Sequence, residues 1–410
     1  MRHGRTTGGT KPVIDRLRAA NAGREPERLT LKYRAMRASP FAFFRGTAPL
    51  FWEDLKQTDA LPPKAPPVWA CGDLHLENFG TYQGHDGDAY FDLNDFDESA
   101  LAPLTWELAR FVAGVAVARP SLGLDEASTI ELATTFLRAY RATLVNGPVR
   151  SIDRTTATGT ILALLRRMAR RGPAGVRDAG TIDHNGLRRF RIDRRHLLGA
   201  TAAQHAQMTT LLHTFGSTQR NPAFYAVLDV ARRVAGLSSL GLQRFLVLAR
   251  GDAAHGNVLL DVKESQPSSL ARQIALAQPA WASESTRIVT TQGRMQAMTP
   301  AELHALPIGH AGFVMRELQP AEDRLRLRDA IGHPRRLRHV IETMGCLTAW
   351  AQLRSSGIAG AASGDTLRAF ATTHGWRRAL LAYARTYAQQ LERDYQQFVA
   401  SPEDDLTVNR

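Results

Sequence analysis

Two stretches rich in carboxylates and amides lie close together in the first quarter of the chain. Residues 71–80 read CGDLHLENFG, with Asp73 and Asn78 five positions apart, and residues 91–99 read FDLNDFDES. In phosphoryl transfer one aspartate orients the attacking hydroxyl, while an asparagine from the same loop and a second aspartate hold Mg²⁺, which prefers hard oxygen ligands. The spacing therefore predicts a phosphoryl-transfer site with Asp73 as the catalytic base and Asn78 as a metal ligand.

The second metal ligand is predicted to be one of two aspartates in FDLNDFDES. The triplet Asp95-Phe96-Asp97 occupies the position at which protein kinases carry Asp-Phe-Gly, and this favours Asp95. Asp92 remains the alternative, because either side chain could face the cleft.

Two other interpretations fit the same residues. In the first, Asp73 caps the backbone of an Asx-turn loop and the later acidic residues lie on a solvated edge. In the second, His75 and the aspartates form a metallohydrolase site, but the other histidines show no partner spacing. The phosphoryl-transfer interpretation is preferred, because clustered carboxylates repel one another unless a cation or arginines compensate them.

A similar spacing recurs far downstream, where residues 250–260 read RGDAAHGNVLL. No acidic strand follows this second copy, and strand-like apolar runs flank it on both sides. It is therefore predicted to be a turn between two strands and not a second catalytic loop.

A kinase-like site also needs a glycine-containing turn over the phosphates and a lysine on a following strand. Residues 234–241 read VAGLSSLG, and Gly236, Ser238 and Gly241 of this turn are predicted to bind the nucleotide phosphates through backbone N–H groups. Lys263 lies on the apolar run VLLDVKES and is the only lysine after residue 64. A surface lysine on an edge strand is the alternative, but the preceding turn favours a phosphate contact.

The elements that position these motifs predict an α+β fold with two lobes. Residues 1–230 are predicted to form a helical catalytic part, residues 231–325 a β-rich nucleotide-binding part, and residues 326–410 helices that pack on the catalytic part. Because the catalytic loop precedes the nucleotide-binding part, the motif order predicts a circularly permuted, protein-kinase-like fold.

Composition limits the function classes. The 410 residues are 44% hydrophobic, and the chain has neither a run of about 20 apolar residues nor a signal-peptide pattern, so we expect a cytoplasmic protein without membrane contact. Two cysteines, Cys71 and Cys346, are expected to be buried thiols. The net charge of +13 comes from 47 arginines and only five lysines, mostly dispersed, so we do not expect nucleic acid as the partner.

The chain resembles a bacterial family catalogued as domain of unknown function 2252, over residues 16–398, in blocks that occur in order: SPFAFFRGTA, CGDLHLENFG, FDLNDFDES, VAGLSSLG, VLLDVKES, FVMREL and YAQQLERDYQQF. That family is similar to the protein-kinase-like and aminoglycoside-phosphotransferase-like superfamily. The resemblance implies the same roles for Asp73, Asn78, Asp95 and Lys263. It also implies a glutamate partner for Lys263, for which Glu284 is the nearest candidate.

The function expected from these observations is an ATP- and Mg²⁺-dependent phosphotransferase that acts on a hydroxyl of a small molecule. The alternative is a non-catalytic kinase-like module that binds a nucleotide. Arg45, in SPFAFFRGTA, is expected either to reach a phosphate or acidic substrate, or to tie its helix to the acidic strand.

Overall fold

Helices and antiparallel strands alternate along the chain in an α+β arrangement. The computed structural model describes residues 11–62, 64–184, 187–253, 256–320, 325 and 331–402. Its α-helices are α1 (Val13–Ala20), α2 (Pro26–Met36), α3 (Pro40–Gly46), α4 (Ala48–Lys56), α5 (Leu104–Val117), α6 (Arg119–Leu122), α7 (Glu126–Asn146), α8 (Gly159–Gly180), α9 (Ala202–Gly216), α10 (Glu284–Met295), α11 (Pro334–Arg354), α12 (Gly364–Thr372) and α13 (Trp376–Ala400).

The strands form one large sheet and three two-stranded ones. They are β1 (Pro67–Ala70), β2 (Phe79–Gln83), β3 (Ala89–Leu93), β4 (Ala100–Pro103), β5 (Thr181–His184), β6 (Leu187–Phe190), β7 (Leu197–Gly199), β8 (Val227–Arg233), β9 (Arg244–Asp252), β10 (Gly256–Glu264), β11 (His304–Ile308) and β12 (Ala311–Glu317). The large sheet has the order β11-β12-β10-β9-β8-β7, and the small sheets pair β1 with β4, β2 with β3, and β5 with β6.

Local sequence signals set several helix starts. The Asp125 side chain accepts from the Ser128 N–H at the start of α7, and Ser283 accepts from the Thr286 N–H at the start of α10. Thr201 and Gln204 form a reciprocal capping box at α9. Such caps satisfy N–H groups that have no partner within the helix and stabilise a helix by about 1 kcal/mol each.

The helical part is built around α5, which is buried along almost its whole surface. It packs against α7 and α13, while α11 packs on α7. The Phe111 and Phe136 rings stack with their centroids 3.7 Å apart at the contact between α5 and α7. Helices α1 to α4 contribute to the same core, so the residues before the catalytic loop belong to the helical part. No helix of the described residues is long and apolar enough to cross a bilayer.

The six-stranded sheet has a core of its own on one face, where Met208 and Leu212 of α9 pack against Phe245, Val247 and other strand residues. Helix α10 follows β10 and packs on β11 and β12. The sheet includes β7 and β8, so it begins well before the predicted boundary at residue 231. In the second Gly-Asp copy, residues 250–252 end β9 and residues 256–257 begin β10, which agrees with its prediction as a connection between two strands.

The part predicted to be helical, residues 1–230, also contains strands after α8. Helix α8 is interrupted at Gly172, where φ is +61°. The arginine-rich segment that follows contains strand β6. Its neighbour β7 joins the large sheet, because Leu197 pairs with Arg233 of β8.

Candidate functional site

The catalytic loop predicted at residues 71–78 leaves strand β1 and enters strand β2, and the acidic loop at residues 94–99 connects β3 to β4. Because β1 pairs with β4 and β2 pairs with β3, both loops emerge on the same side of these hairpins. Strand pairing therefore brings together two segments that are about 20 residues apart in sequence.

Asp73 is buried, with 9% of its surface exposed, and a fixed counterion holds it. The Arg110 Nε–H donates to Asp73 Oδ1 at 2.9 Å, and another Arg110 N–H donates to the Phe44 carbonyl at 2.8 Å. The guanidinium lies 3.5 Å from the centre of the Phe44 ring. Burial raises the pKa of the Asp73 carboxyl above its ordinary value, and the Arg110 charge offsets only part of this rise.

Asn78 joins the catalytic loop to the acidic loop. Its amide donates to the carbonyls of Asp73 and Asp95, both at 3.1 Å, while its side-chain oxygen accepts from the Asp95 N–H at 2.7 Å. The side chain is 2% exposed. The same oxygen also accepts from the Asn94 N–H, at 3.4 Å. Asn78 therefore fixes the distance between the predicted base and the predicted metal ligand.

Gly72 makes the close approach of these two loops possible. Its φ is +86°, and a Cβ atom at this position would overlap the Glu98 carbonyl. We expect Gly72→Ala to lower the free energy of unfolding by about 3 kcal/mol, because left-handed backbone strain adds to an overlap with backbone atoms. Urea unfolding measures this difference.

Gly87 offers a matched control for that prediction. Its φ is +84°, but nothing lies within 4 Å of a Cβ atom built there. Gly87→Ala should therefore lower the unfolding free energy only by the strain of the left-handed backbone, about 1 kcal/mol. Equal losses for the two variants would show that the contact between the two loops contributes nothing.

Lys263 of β10 reaches the acidic loop from the large sheet. Its Nζ donates to the Asp97 carboxylate and lies 3.9 Å from Asp95 Oδ1, and the residue is 8% exposed. Residues more than 160 positions apart in sequence thus meet in one cluster. The structure brings Lys263 to the predicted metal ligand, as a shared phosphate site requires.

The two aspartates beside Lys263 differ in acidity. Burial acts against ionisation of Asp95, but the charges of Lys263 and Arg316 prevail and hold its pKa below the ordinary value, at about 2. Burial and the neighbouring Asp95 charge raise the pKa of Asp97, although Lys263 opposes the rise. Asp95 is therefore ionised at neutral pH, the form in which a carboxylate binds a cation.

Asp92, the alternative metal ligand, lies away from this cluster. Its Oδ2 accepts from the Ala297 N–H at 3.0 Å and pairs with Arg354 of α11 at 3.2 Å, and the residue is 1% exposed. Of the two aspartates, only Asp95 faces Lys263. Asp92 instead ties strand β3 to α11.

The expected glutamate partner of Lys263 is engaged elsewhere. Glu284 pairs with Arg287, one turn along α10, at 2.6 Å. Arg287 in turn donates to the backbone carbonyls of Asp97 and Ser99, at 2.8 and 2.6 Å. Helix α10 thus contacts the acidic loop through an arginine, while an aspartate of that loop pairs with Lys263.

The predicted phosphate-binding turn lies between β8 and β9 and faces the acidic loop. Gly236 and Gly241 adopt positive φ values of +80° and +97°, which allow the tight turn. Arg24, from the connection between α1 and α2, donates to the carbonyls of Ser238 and Leu240, both at 2.7 Å. The chain segment before α2 therefore lies against the turn.

A cavity of about 40 Å³, which we call the donor cavity, lies where these parts meet. Its walls include Asp73, Asp95, Asp97, Glu98, Arg24 and Ser238. The predicted base, a predicted metal ligand and the glycine turn thus border one space. The space itself has room for about one or two water molecules.

His75 and Cys71 do not add a metal site. His75 Nδ1 accepts from the Glu77 N–H at 3.0 Å, and burial together with the charges of Arg45 and Arg110 lowers the pKa of its imidazole well below the ordinary range. Burial raises the pKa of the Cys71 thiol. Within the described ranges, no group of three or more His, Cys, Asp or Glu side chains is placed to hold a metal ion. The candidate ligands for a metal ion at the acidic loop are oxygen atoms of Asp95, Asp97 and Asn78.

Sequence reasoning missed Arg110, Arg24 and the role of Asp97. Arg110 carried a signal, because it is an isolated cation in the apolar helix sequence LTWELARFVAGVAV. Arg24 carried none, since its contact with the glycine turn joins segments 214 or more positions apart. Asp97 was visible in the acidic stretch, but its pairing with Lys263 depends on the tertiary structure.

The comparisons with known proteins yield one family. The family model described as "Uncharacterized protein conserved in bacteria (DUF2252)" matches residues 24–401. Neither a curated protein nor a solved structure matches the chain.

Proposed function

Because the chain belongs to the DUF2252 family of uncharacterized bacterial proteins, whose description assigns no reaction, we propose from its site that it is an ATP- and Mg²⁺-dependent phosphotransferase. The acceptor is a hydroxyl on a small molecule. The observation that carries the proposal is the meeting of Lys263 with Asp95 and Asp97 beside the buried Asp73. Phosphoryl transfer needs a cation on the phosphates, a metal ligand and a base within one cleft.

The order of elements supports a protein-kinase-like, circularly permuted fold. In the large sheet a glycine turn precedes the lysine strand, and helix α10 follows that strand, as in kinases. The loop with Asp73 and Asn78 and the loop with Asp95 also follow one another in the kinase order. In this chain the loops with Asp73, Asn78 and Asp95 precede the glycine turn and the lysine strand. Kinases have the reverse order, and this difference is the proposed permutation.

The site fits a magnesium ion by the chemistry of its donors. Asp95 and Asp97 offer carboxylates, which are hard ligands of the kind Mg²⁺ takes. The Asn78 amide oxygen would join them on release of a backbone N–H contact with Asn94 or Asp95. When bound with the nucleotide, the metal neutralises charge on the phosphates. Lys263 now compensates both aspartates, so it would turn from them to the phosphates when the nucleotide enters.

A cavity of about 250 Å³ adjoins the acidic loop and is proposed to take the nucleoside. Asn94, next to the metal ligand Asp95, lies on its wall, together with Arg316, Leu318 and Met168. The cavity lies between the large sheet and α8. The phosphates would leave the cavity on the side of Asn94, which precedes Asp95 in the acidic loop.

Asp73 and Arg110 act on the acceptor. The acceptor hydroxyl gives its proton to the Asp73 carboxylate as its oxygen bonds to the terminal phosphorus, and the nucleoside diphosphate leaves with the electron pair of the broken P–O bond. Arg110 keeps the carboxylate oriented, because it is itself fixed by Phe44. Burial of both groups limits the access of water, which would compete with the acceptor.

The proposal is tested by thermal unfolding with ATP in the presence and absence of Mg²⁺. At about a hundredfold excess of ligand over Kd, we expect the melting temperature to rise by about 3–6 °C with both and much less with ATP alone. Incubation with a panel of hydroxyl compounds should then consume ATP. A protein that shows no Mg²⁺-dependent shift would contradict the proposal.

A non-catalytic nucleotide-binding module is the second candidate. It is favoured by the engagement of Glu284 with Arg287, which leaves Lys263 without the glutamate that active kinases use. This candidate predicts the same Mg²⁺-dependent shift but no consumption of ATP with any acceptor of the panel. Turnover therefore distinguishes the two.

A further inference from the structure

A second small cavity borders Asp73, and we call it the cationic cavity. It has a volume of about 30 Å³ and shares Arg24, Asp73, Glu98 and Ser238 with the donor cavity. Its other walls come from helices α1 to α4 and from the turn between α1 and α2. Asp73 therefore has the donor cavity on one side and the cationic cavity on another.

Three basic side chains line the cationic cavity, and Lys32 is the most deeply buried. It is 2% exposed, and its Nζ donates to Asn21 Oδ1 at 2.6 Å. Within the described part of the chain, no carboxylate lies within ion-pair distance of this Nζ. An ammonium group buried without a carboxylate partner is costly. Burial and the Arg24 charge accordingly lower the pKa of Lys32 well below its ordinary value.

Arg24 and Arg45 add positive charge at the same cavity. Arg24 donates to carbonyls of the glycine turn through a single nitrogen, so its other nitrogens remain for another acceptor. Arg45 pairs with Glu77 and is 23% exposed at its side chain. The pairing with Glu77 ties α3 to the catalytic loop, and contact of Arg45 with a phosphate or acidic substrate stays a prediction.

Within the described residues, the two acidic side chains of the cavity form no ion pair with Arg24 or Lys32. Asp73 is paired with Arg110. Glu98 accepts from the N–H and the hydroxyl of Ser269, at 2.6 and 2.7 Å, while its charge acts favourably on Arg24 and Lys32. Three basic and two acidic side chains thus line the cationic cavity next to the proposed catalytic base.

We infer that the phosphoryl acceptor is an anionic small molecule whose phosphate or carboxylate group binds Lys32, with Arg24 and Arg45, while its hydroxyl reaches Asp73. The inference rests on the proposed function, since it assigns the acceptor to the side of Asp73 that Lys263 does not occupy. An anion held there would give Lys32 the partner that it lacks.

Entry of such an acceptor requires a local movement. A volume of about 30 Å³ holds about one water molecule. The wall that can yield is the turn over residues 21–25, where Gly23 is exposed and has a φ of +79°. Arg24 anchors this turn to the carbonyls of Ser238 and Leu240, and the Glu25 N–H donates to the Gly241 carbonyl at 3.0 Å. Movement of the turn would break these contacts.

The test measures binding of glycerol phosphate, glycerate and glycerol by isothermal titration. Lys263→Met serves as the background, so that phosphate cannot bind at the donor end. We expect binding of one or both anions and none of glycerol; the two anions distinguish a phosphate from a carboxylate acceptor. Adding Lys32→Met should weaken anion binding about 10- to 100-fold, the effect of one lost charged hydrogen bond.

Lys56→Met is the matched control, because Lys56 is exposed at the end of α4. It should leave binding unchanged. The melting temperature of Lys32→Met without ligand, compared with that of Lys56→Met, separates lost binding from unfolding. Anion binding should also take up protons, measured in two buffers of different ionisation enthalpy, because an anion raises the lowered pKa of Lys32.

Two outcomes would overturn the inference: anion binding that Lys32→Met leaves unchanged, or no binding of either anion at millimolar concentration. Failure of the proposed function gives a different result. The melting temperature of the unaltered protein would then not rise with ATP and Mg²⁺, a measurement that is independent of the anion titrations.

Discussion

Asp73→Asn should lower acceptor phosphorylation by at least about a thousandfold, with little change in the affinity for Mg²⁺ and ATP. The amide cannot take the hydroxyl proton, whereas Lys263, Asp95 and Asp97 remain in place for the phosphates. Initial rates with an active acceptor and the thermal shift with ATP measure the two effects. Asp365→Asn is the control, because Asp365 lies exposed in the first turn of α12, where it pairs with Arg368.

The pH dependence of the unaltered protein provides a second readout of Asp73. Only the ionised carboxylate can accept the proton, and burial raises its pKa. The rate should therefore fall on the acid side at a pH above the ordinary range of aspartate, about 4. A rate that Asp73→Asn leaves intact, in a protein with unchanged circular dichroism, would remove Asp73 from the reaction.

Lys263→Met should weaken binding of Mg²⁺ and ATP about 10- to 100-fold, because a charged contact with the phosphates is lost. The thermal shift with ATP would shrink accordingly. Lys64→Met is the control, since Lys64 is exposed and far from the sheet in sequence. Equal nucleotide affinity in the two variants would contradict the assigned role of Lys263.

We expect Lys263→Met to have the opposite effect on the affinity for Mg²⁺ in the absence of nucleotide. In the unaltered protein Lys263 compensates Asp95 and Asp97. Without Lys263 the negative charges of Asp95 and Asp97 repel each other, and a bound divalent cation would compensate them. Mg²⁺ without nucleotide should therefore bind Lys263→Met more tightly than the unaltered protein, which calorimetric titration can measure.

The local motifs were predictable because their chemistry depends on short spacings. Asp73 and Asn78 lie on one loop, and Asp95 follows the adjacent hairpin, so strand pairing alone brings the three together. Lys263 was recognisable as an isolated lysine on an apolar strand. The prediction of an α+β fold also followed from local patterns, since helix and strand periodicities differ.

Other features depend on contacts between distant segments and left no local signal. Arg354 pairs with Asp92 from 262 positions away, and this contact holds Asp92 against α11. Arg287 pairs with Glu284 on α10, and Lys263 pairs with Asp97 instead. The start of the large sheet was missed because β7 has only three residues and forms through its pairing with β8.

Arg24 lies on the wall of both cavities, and this shared side chain has a consequence for the order of events. An acceptor that moves the turn over residues 21–25 also changes the contacts of Arg24 with Ser238 and Leu240, and thus the turn above the donor phosphates. By linkage, any gain in nucleotide affinity caused by the acceptor equals the gain in acceptor affinity caused by the nucleotide. Binding of the acceptor and binding of the nucleotide would therefore be coupled through Arg24.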